Sequence, residues 1–106
     1  MSPIRHRLVQ ALAQRLGETD PAALAQLDRI CECMPPERIV ALMQRTEEIE
    51  RNGGMLTDNK RRRRTKGGVF FRLALMRKTG KLTKAQRRYC FPALQRPATD
   101  EAPDGE

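Results

Sequence analysis

The chain is poor in aromatic side chains. Its 106 residues contain no tryptophan, one tyrosine and three phenylalanines. A core with so few rings depends on aliphatic side chains, so each aromatic is needed either for packing or for contact with a ligand. Phe70 and Phe71 are adjacent, so we expect one of them to be buried and the other, like Tyr89, to be partly exposed.

Long hydrophobic runs are also absent from the sequence. No window approaches the roughly 18 apolar residues that a membrane span needs, and the first residues lack the layout of a secretory signal. We therefore expect an intracellular protein, cytoplasmic or, in a eukaryote, nuclear, without a membrane partner. The length fits one small domain with a modest core.

Groups that support catalysis are scarce. There is one histidine, no Gly-x-Ser-x-Gly, no ATPase-type phosphate loop and no carboxylate pair in the basic half. We therefore predict neither an enzyme nor a small-molecule substrate or cofactor.

Zinc must be considered, because Cys31, Cys33, Cys90 and His6 would add up to four ligands. Residues two apart on a helix face different sides, and an odd number of cysteines makes a poor disulfide framework. We predict free, half-buried thiols and no metal site.

Acidic residues are missing from one long segment. The net charge is +8, yet residues 60–96 hold fourteen basic residues and no acid, whereas residues 97–106 hold four acids and no base. A basic surface that only aids solubility is the alternative interpretation. Fourteen cations without an intervening acid are more typical of a surface that binds a polyanion.

Hydrophobic spacing predicts an all-α domain of about five short helices over residues 1–92, and no segment has the alternation of a strand. Thr65 and Thr83 are the predicted N-caps of the last two helices, and Gly80 the predicted end of the fourth. Beyond residue 92 the composition predicts a disordered acidic tail. The core positions predicted in the first three helices are Ile4, Leu8, Leu12, Leu16, Leu24, Leu27, Ile30, Cys31, Ile39, Val40, Leu42, Met43 and Thr46.

The third predicted helix ends in Glu47, Glu48 and Glu50, just before Asn52-Gly53-Gly54 breaks it. Acids are unfavourable at a helix C-terminus, so we expect the following arginines to pair with them.

A run of cations leads directly into a second glycine pair. Arginines neutralise phosphates, glycines let a backbone approach closely, and a helix start offers free N–H groups. A phenylalanine there could stack an unpaired base or only support the core. The candidate binding residues are Lys60, Arg61, Arg62, Arg63, Arg64, Thr65, Lys66, Gly67, Gly68, Phe70, Arg72, Arg87 and Arg88.

Two segments together resemble the RNA-binding domain of the phosphorylated adapter for RNA export family. They are Glu-Glu-Ile-Glu-Arg-Asn-Gly-Gly-Met-Leu at residues 47–56 and Arg-Arg-Arg-Thr-Lys-Gly-Gly-Val-Phe at residues 62–70. The resemblance implies a small all-helical domain, here standing alone, that binds single-stranded or irregular RNA with little sequence preference. Lys66 stands where the family usually has proline, which implies a looser helix entry. The contacts implied by the resemblance are Arg62, Arg63, Arg64, Thr65, Gly67, Gly68 and Phe70.

Two other functions stay open at this point. A duplex-DNA-binding protein would also use arginines, although no helix-turn-helix signature is evident. A protein-interaction module could use the basic run as an import signal or to dock an acidic partner.

Overall fold

The computed structural model describes residues 3–92, and it confirms the all-α fold. The helices are α1 (Pro3–Leu16), α2 (Pro21–Cys33), α3 (Pro36–Arg51), α4 (Lys66–Leu75), α5 (Arg77–Gly80) and α6 (Lys84–Cys90). Within that range the extended pairing is limited to one isolated bridge, between Leu56 and Arg63. The predicted disordered tail, residues 93–106, lies outside the described residues.

The helices pack in pairs around one core. α1 packs on α2, α3 packs on α4, and α6 also packs on α2. The largest fully buried side chains come from four of these helices, α2, α3, α4 and α6. The polar Thr46 is one of them, and its hydroxyl donates to the carbonyl of Leu42 at 2.8 Å. Among residues 3–92 no helix is long and apolar enough to cross a bilayer.

Short sequence signals set most helix ends. Gly17 ends α1 at a φ of +73°, and Pro21 and Pro36 open α2 and α3. The side chain of Thr83 accepts a hydrogen bond from the N–H of Gln86, whose amide in turn accepts from the N–H of Thr83, which confirms the predicted cap. The carboxylate of Asp20 makes no capping bond, so at α2 only the proline part of the predicted signal is used.

The fourth predicted helix is interrupted, which corrects its predicted end at Gly80. Met76 is extended, with a ψ of 140°, so α4 ends at Leu75 and Gly80 belongs to the separate short helix α5. A Cβ at Gly80 would collide with the carbonyl oxygen of Ala74. Gly80 therefore permits a close approach between α5 and the end of α4.

Two predicted core positions lie on the surface. Ile4 is 78% exposed and Val40 is 49% exposed. A spacing of four residues drifts around a helix of 3.6 residues per turn, so the stripe starts outside the buried face at Ile4 and lies on it at Leu12 and Leu16. Val9 and Ala13 complete the buried face of α1. The fully buried Ile39 precedes Val40 by one position, and a single step turns the next side chain away.

Candidate nucleic-acid interface

The cationic run lies in the loop that joins α3 to α4, and this loop is closed by its own hydrogen bonds. The N–H of Thr57 donates to the carbonyl of Arg62, and the N–H of Lys60 donates to the carbonyl of Thr57, both at 2.8 Å. Lys60 stands in the left-handed region with a φ of 60°. The loop is therefore a hairpin-like turn that displays its cations in a defined arrangement.

Arg63 and Arg64 hold the loop together. Arg63 donates to the carboxylate of Glu50 at 3.0 Å and to its carbonyl at 3.3 Å, and Arg64 donates to the carboxylate of Asp58 at 2.8 Å. A Cβ at Gly54 would collide with the Arg63 side chain, so this glycine leaves space for the arginine. The expectation that the following arginines pair with the acidic end of α3 is confirmed for Glu50, whereas Glu48 pairs with Arg45 of the same helix.

Lys60, Arg61, Arg62 and Arg63 are all exposed in this loop. Arg63 pairs with Glu50, whereas no ion pair within residues 3–92 involves Lys60, Arg61 or Arg62. The five consecutive cations thus divide into two that pair with acids of the protein itself and three that make no such pair.

Glu47 joins two further cations at the start of α4. Its carboxylate accepts hydrogen bonds from Arg15 at 2.8 and 3.1 Å, and the ammonium of Lys66 lies 3.7 Å away. The hydrogen bond from Arg15, with the positive charges of Arg15 and Lys66, holds the pKa of this carboxyl below its ordinary value. Sequence reasoning missed Arg15, which lies far from the basic segment; only the unpaired acids of α3 hinted at another cation.

The second glycine pair opens α4 as predicted, but its environment differs from expectation. Thr65 is the N-cap, and its hydroxyl accepts the N–H of Gly68 at 3.0 Å. Gly67 is buried, and a Cβ there would collide with the carboxylate of Glu18, from the turn between α1 and α2. The phosphate site at this helix start stays a prediction, and Glu18 would have to move aside for it.

As expected, one of the two adjacent phenylalanines is buried, and the other, like Tyr89, is partly exposed. Phe70 is fully buried, so it supports α4 from inside and offers no face to a base. Phe71 is half-buried and touches the Phe70 ring edge-on, with 6.1 Å between the ring centroids. Tyr89 is 46% exposed, and the Arg29 guanidinium lies 5.5 Å from the centre of its ring.

The remaining candidate arginines are spread over two other helices. Arg72 is half-buried on α4. Arg87 and Arg88 belong to α6, which packs on α2, and Arg87 donates to the carbonyl of Leu82 at 3.0 Å. None of the contacts described here connects the two α6 arginines to the loop, so their place in one continuous surface stays a prediction.

The three cysteines are free thiols. Cys33 and Cys90 lie with their sulfurs 3.8 Å apart, a contact between α2 and α6 that their sequence positions did not reveal. Burial raises the pKa of Cys31 and that of Cys90 to about 12. Within residues 3–92 no three His, Cys, Asp or Glu side chains form a group that could hold a metal ion.

Comparison with known proteins gives one consistent result. Residues 8–95 match the family model described as "Phosphorylated adapter RNA export protein, RNA-binding domain". The adapter protein of Mus musculus is 33% identical over 85 residues, that of Bos taurus 32% over 87, and that of Homo sapiens 31% over 87. No solved structure matches the chain.

The matches cover most of this chain and a small part of its relatives. They span 80 to 82% of the chain and 21% of each of those three proteins, so the chain corresponds to about a fifth of the length of the curated relatives it matches. The matched segment includes both glycine pairs, the cationic loop between them and the helices that hold the loop. The chain therefore belongs to the family of the RNA-binding domain of the phosphorylated adapter RNA export protein.

Proposed function

We propose that this chain binds single-stranded or irregular RNA, mainly through the phosphate backbone. The observation that carries the proposal is the closed loop between α3 and α4, which exposes Lys60, Arg61 and Arg62 while neighbouring arginines hold its shape. The family description, which names an RNA-binding domain, supports RNA as the polyanion.

The loop contributes affinity by neutralising phosphates. Each cation that contacts a phosphate releases a condensed counterion, and this release favours binding at low salt. Because Arg63 and Arg64 already order the loop, little conformational entropy is lost when RNA binds. Contacts to phosphate carry no base information, so low sequence specificity follows from this mechanism.

Stacking on aromatic side chains supplies the preference for unpaired bases. A duplex hides the faces of its bases, whereas a single strand can place them on an aromatic ring or a guanidinium plane. Phe71 and Tyr89 are the described rings with exposed surface, and Arg29 already stacks near Tyr89.

Salt dependence tests the electrostatic part of the proposal. If about six phosphates are contacted, affinity for a single-stranded RNA should fall roughly 300-fold between 50 and 200 mM salt, from a slope near −0.7 per contact. Fluorescence anisotropy with a labelled oligouridine measures this slope. A flat salt response would contradict phosphate binding. In competition, single-stranded RNA should displace the probe at lower concentration than duplex DNA of equal length.

A pair of substitutions at Gly68 tests the glycine turn. A Cβ at Gly68 would lie 3.2 Å from the hydroxyl of Thr65 and 3.6 Å from the Cβ of Arg64, so Gly68→Ala needs only a small adjustment and is the matched control. Gly68→Glu adds a negative charge beside the phosphate position and should remove most RNA binding while helicity by circular dichroism is retained. Equal affinity of the two variants would show that the turn is only structural.

A further inference from the structure

A second cationic surface lies at the opposite end of α3 from the loop. It is a cleft of about 400 Å³ between the first half of α3 and the short helix α5. Its cations are Arg38 and Arg45 from α3, Lys78 from α5 and Lys81 just after it. Glu37 is the one acid among its lining residues and Arg45 pairs with Glu48, so the excess of positive charge in the cleft comes from Arg38, Lys78 and Lys81.

The cleft is part of the folded structure and does not depend on flexible side chains alone. Arg38 is partly buried, and its guanidinium donates to the carbonyl of Gly80 at 3.3 Å, which holds it at the wall formed by α5. The hydroxyl of Thr79 donates to the carbonyl of Leu73, which ties the same wall to α4. Lys78 and Lys81 are exposed and make no ion pair with any residue in the range 3–92.

Lys81 has an unfavourable backbone conformation for a lysine. Its φ of 54° lies in the left-handed region, where glycine is normally found. The described residues contain one other non-glycine residue of this kind, Lys60, at the tip of the cationic loop. Strained non-glycine residues concentrate at functional sites. Both such positions in this chain are lysines, and each belongs to a cationic surface.

We propose that this cleft is a second phosphate-binding site, which holds the RNA backbone where the strand continues beyond the loop. Arg38 in the cleft and Glu50, which anchors the loop, are twelve residues apart on α3, or about 18 Å along the helix axis. This distance is short enough for one strand to span. This inference rests on the proposed RNA binding, and it identifies where a second stretch of the same strand is bound.

Amide chemical shifts test the location of the contact. The ¹⁵N-labelled chain is titrated with a twelve-nucleotide oligouridine. We expect the amides of Thr79, Gly80 and Lys81 to shift together with those of Arg61 and Arg62. Shifts confined to the loop would overturn the second site and leave the proposed function intact. If neither group of amides shifts, RNA binding itself fails, and the second site fails with it.

Substitution of the two lysines tests their energetic role. The double variant Lys78→Gln with Lys81→Gly removes two charges, and the glycine also relieves the left-handed strain, so loss of binding cannot be attributed to unfolding. Two lost phosphate contacts should reduce the salt slope by about 1.4, which makes the affinity loss between 50 and 200 mM salt about 7-fold smaller.

The matched control is the double variant Arg7→Gln with Lys84→Gln, which removes the same charge outside the cleft. Its salt slope should stay close to that of the unmodified chain. An unchanged slope in the cleft variant, or an equal change in both variants, would overturn the second site.

Discussion

Glu47 shows how one carboxylate organises cations from distant parts of the chain. It accepts three hydrogen bonds from Arg15 of α1 and lies 3.7 Å from the ammonium of Lys66 at the start of α4. An acid in the last turn of a helix is unfavourable by itself. Here the two cations offset that cost, and the carboxylate links the end of α3 to the helix that follows the loop.

The pH dependence of stability in a Glu47 variant tests this link. The pKa of Glu47 is lowered in the folded chain, so its ionised form stabilises the fold above the ordinary value of 4.5, and that contribution is lost as pH falls through the folded pKa. We expect Glu47→Gln to be less stable than the unmodified chain at about pH 7 and nearly equal to it at about pH 2.5. Urea unfolding at the two pH values measures the difference.

Glu48→Gln is the matched control, because Glu48 pairs with Arg45 in an exposed contact on the same helix. Such pairs contribute little, so this variant should be nearly as stable as the unmodified chain. If Glu47→Gln lowered the free energy of unfolding equally at both pH values, the ionised carboxylate would not be the source of the stability.

The turn from α4 into α5 depends on close contact between backbones. α4 ends at Leu75, Met76 is extended, and Gly80 lies so near the carbonyl of Ala74 that no side chain fits between them. This contact brings Thr79 and Lys81 to the cleft beside α3. The apolar spacing continues through Met76 and gave no sign of the interruption.

Gly80→Ala should destabilise the fold, because its Cβ would push α5 away from the end of α4. Overpacking of this kind costs about 1–3 kcal/mol, and each 1 kcal/mol lowers the Tm of a small domain by roughly 4–8 °C. Thermal unfolding followed by circular dichroism measures the shift. Gly68→Ala is the control, because its Cβ would approach no atom closer than the Thr65 hydroxyl at 3.2 Å, and its Tm should change much less than that of Gly80→Ala. A Tm for Gly80→Ala within error of the unmodified chain would contradict the close contact.

Charge is distributed over the whole chain in blocks. Residues 60–96 contain fourteen basic residues and no acid, and residues 97–106 contain four acids and no base. We expect a block of four negative charges joined to the basic segment to compete with RNA phosphates for the same cations, most strongly at low salt.

Deleting residues 97–106 should therefore tighten RNA binding at low salt, and the gain should shrink as salt is added. The comparison uses the complete chain and the shortened chain with the same labelled oligouridine. A variant with the four acids replaced by their amides separates charge from length and should behave like the deletion. Unchanged affinity in both variants would reject competition by these acids.

Local signals predicted most of the fold. Pro21, Pro36, Thr65 and Thr83 each act within one helical turn, so their effect on helix starts is visible in sequence. The surface position of Val40 could not be predicted from the sequence. An apolar residue next to a buried stripe has the same local pattern whether it faces the core or the solvent. The absence of a capping bond from Asp20 could not be predicted either, since a residue that is able to cap a helix need not form the hydrogen bond.

The sequence by itself determined the all-α class, the family and the block of cations, because composition, periodicity and the paired glycines are properties of the linear chain. Only the tertiary structure decided what each cation does. Arg63 is used to close the loop, while Arg15, from α1, joins Glu47 beside the start of α4. Which arginine pairs with an acid depends on distances between helices, and those distances are set by packing of the core, which no local pattern encodes.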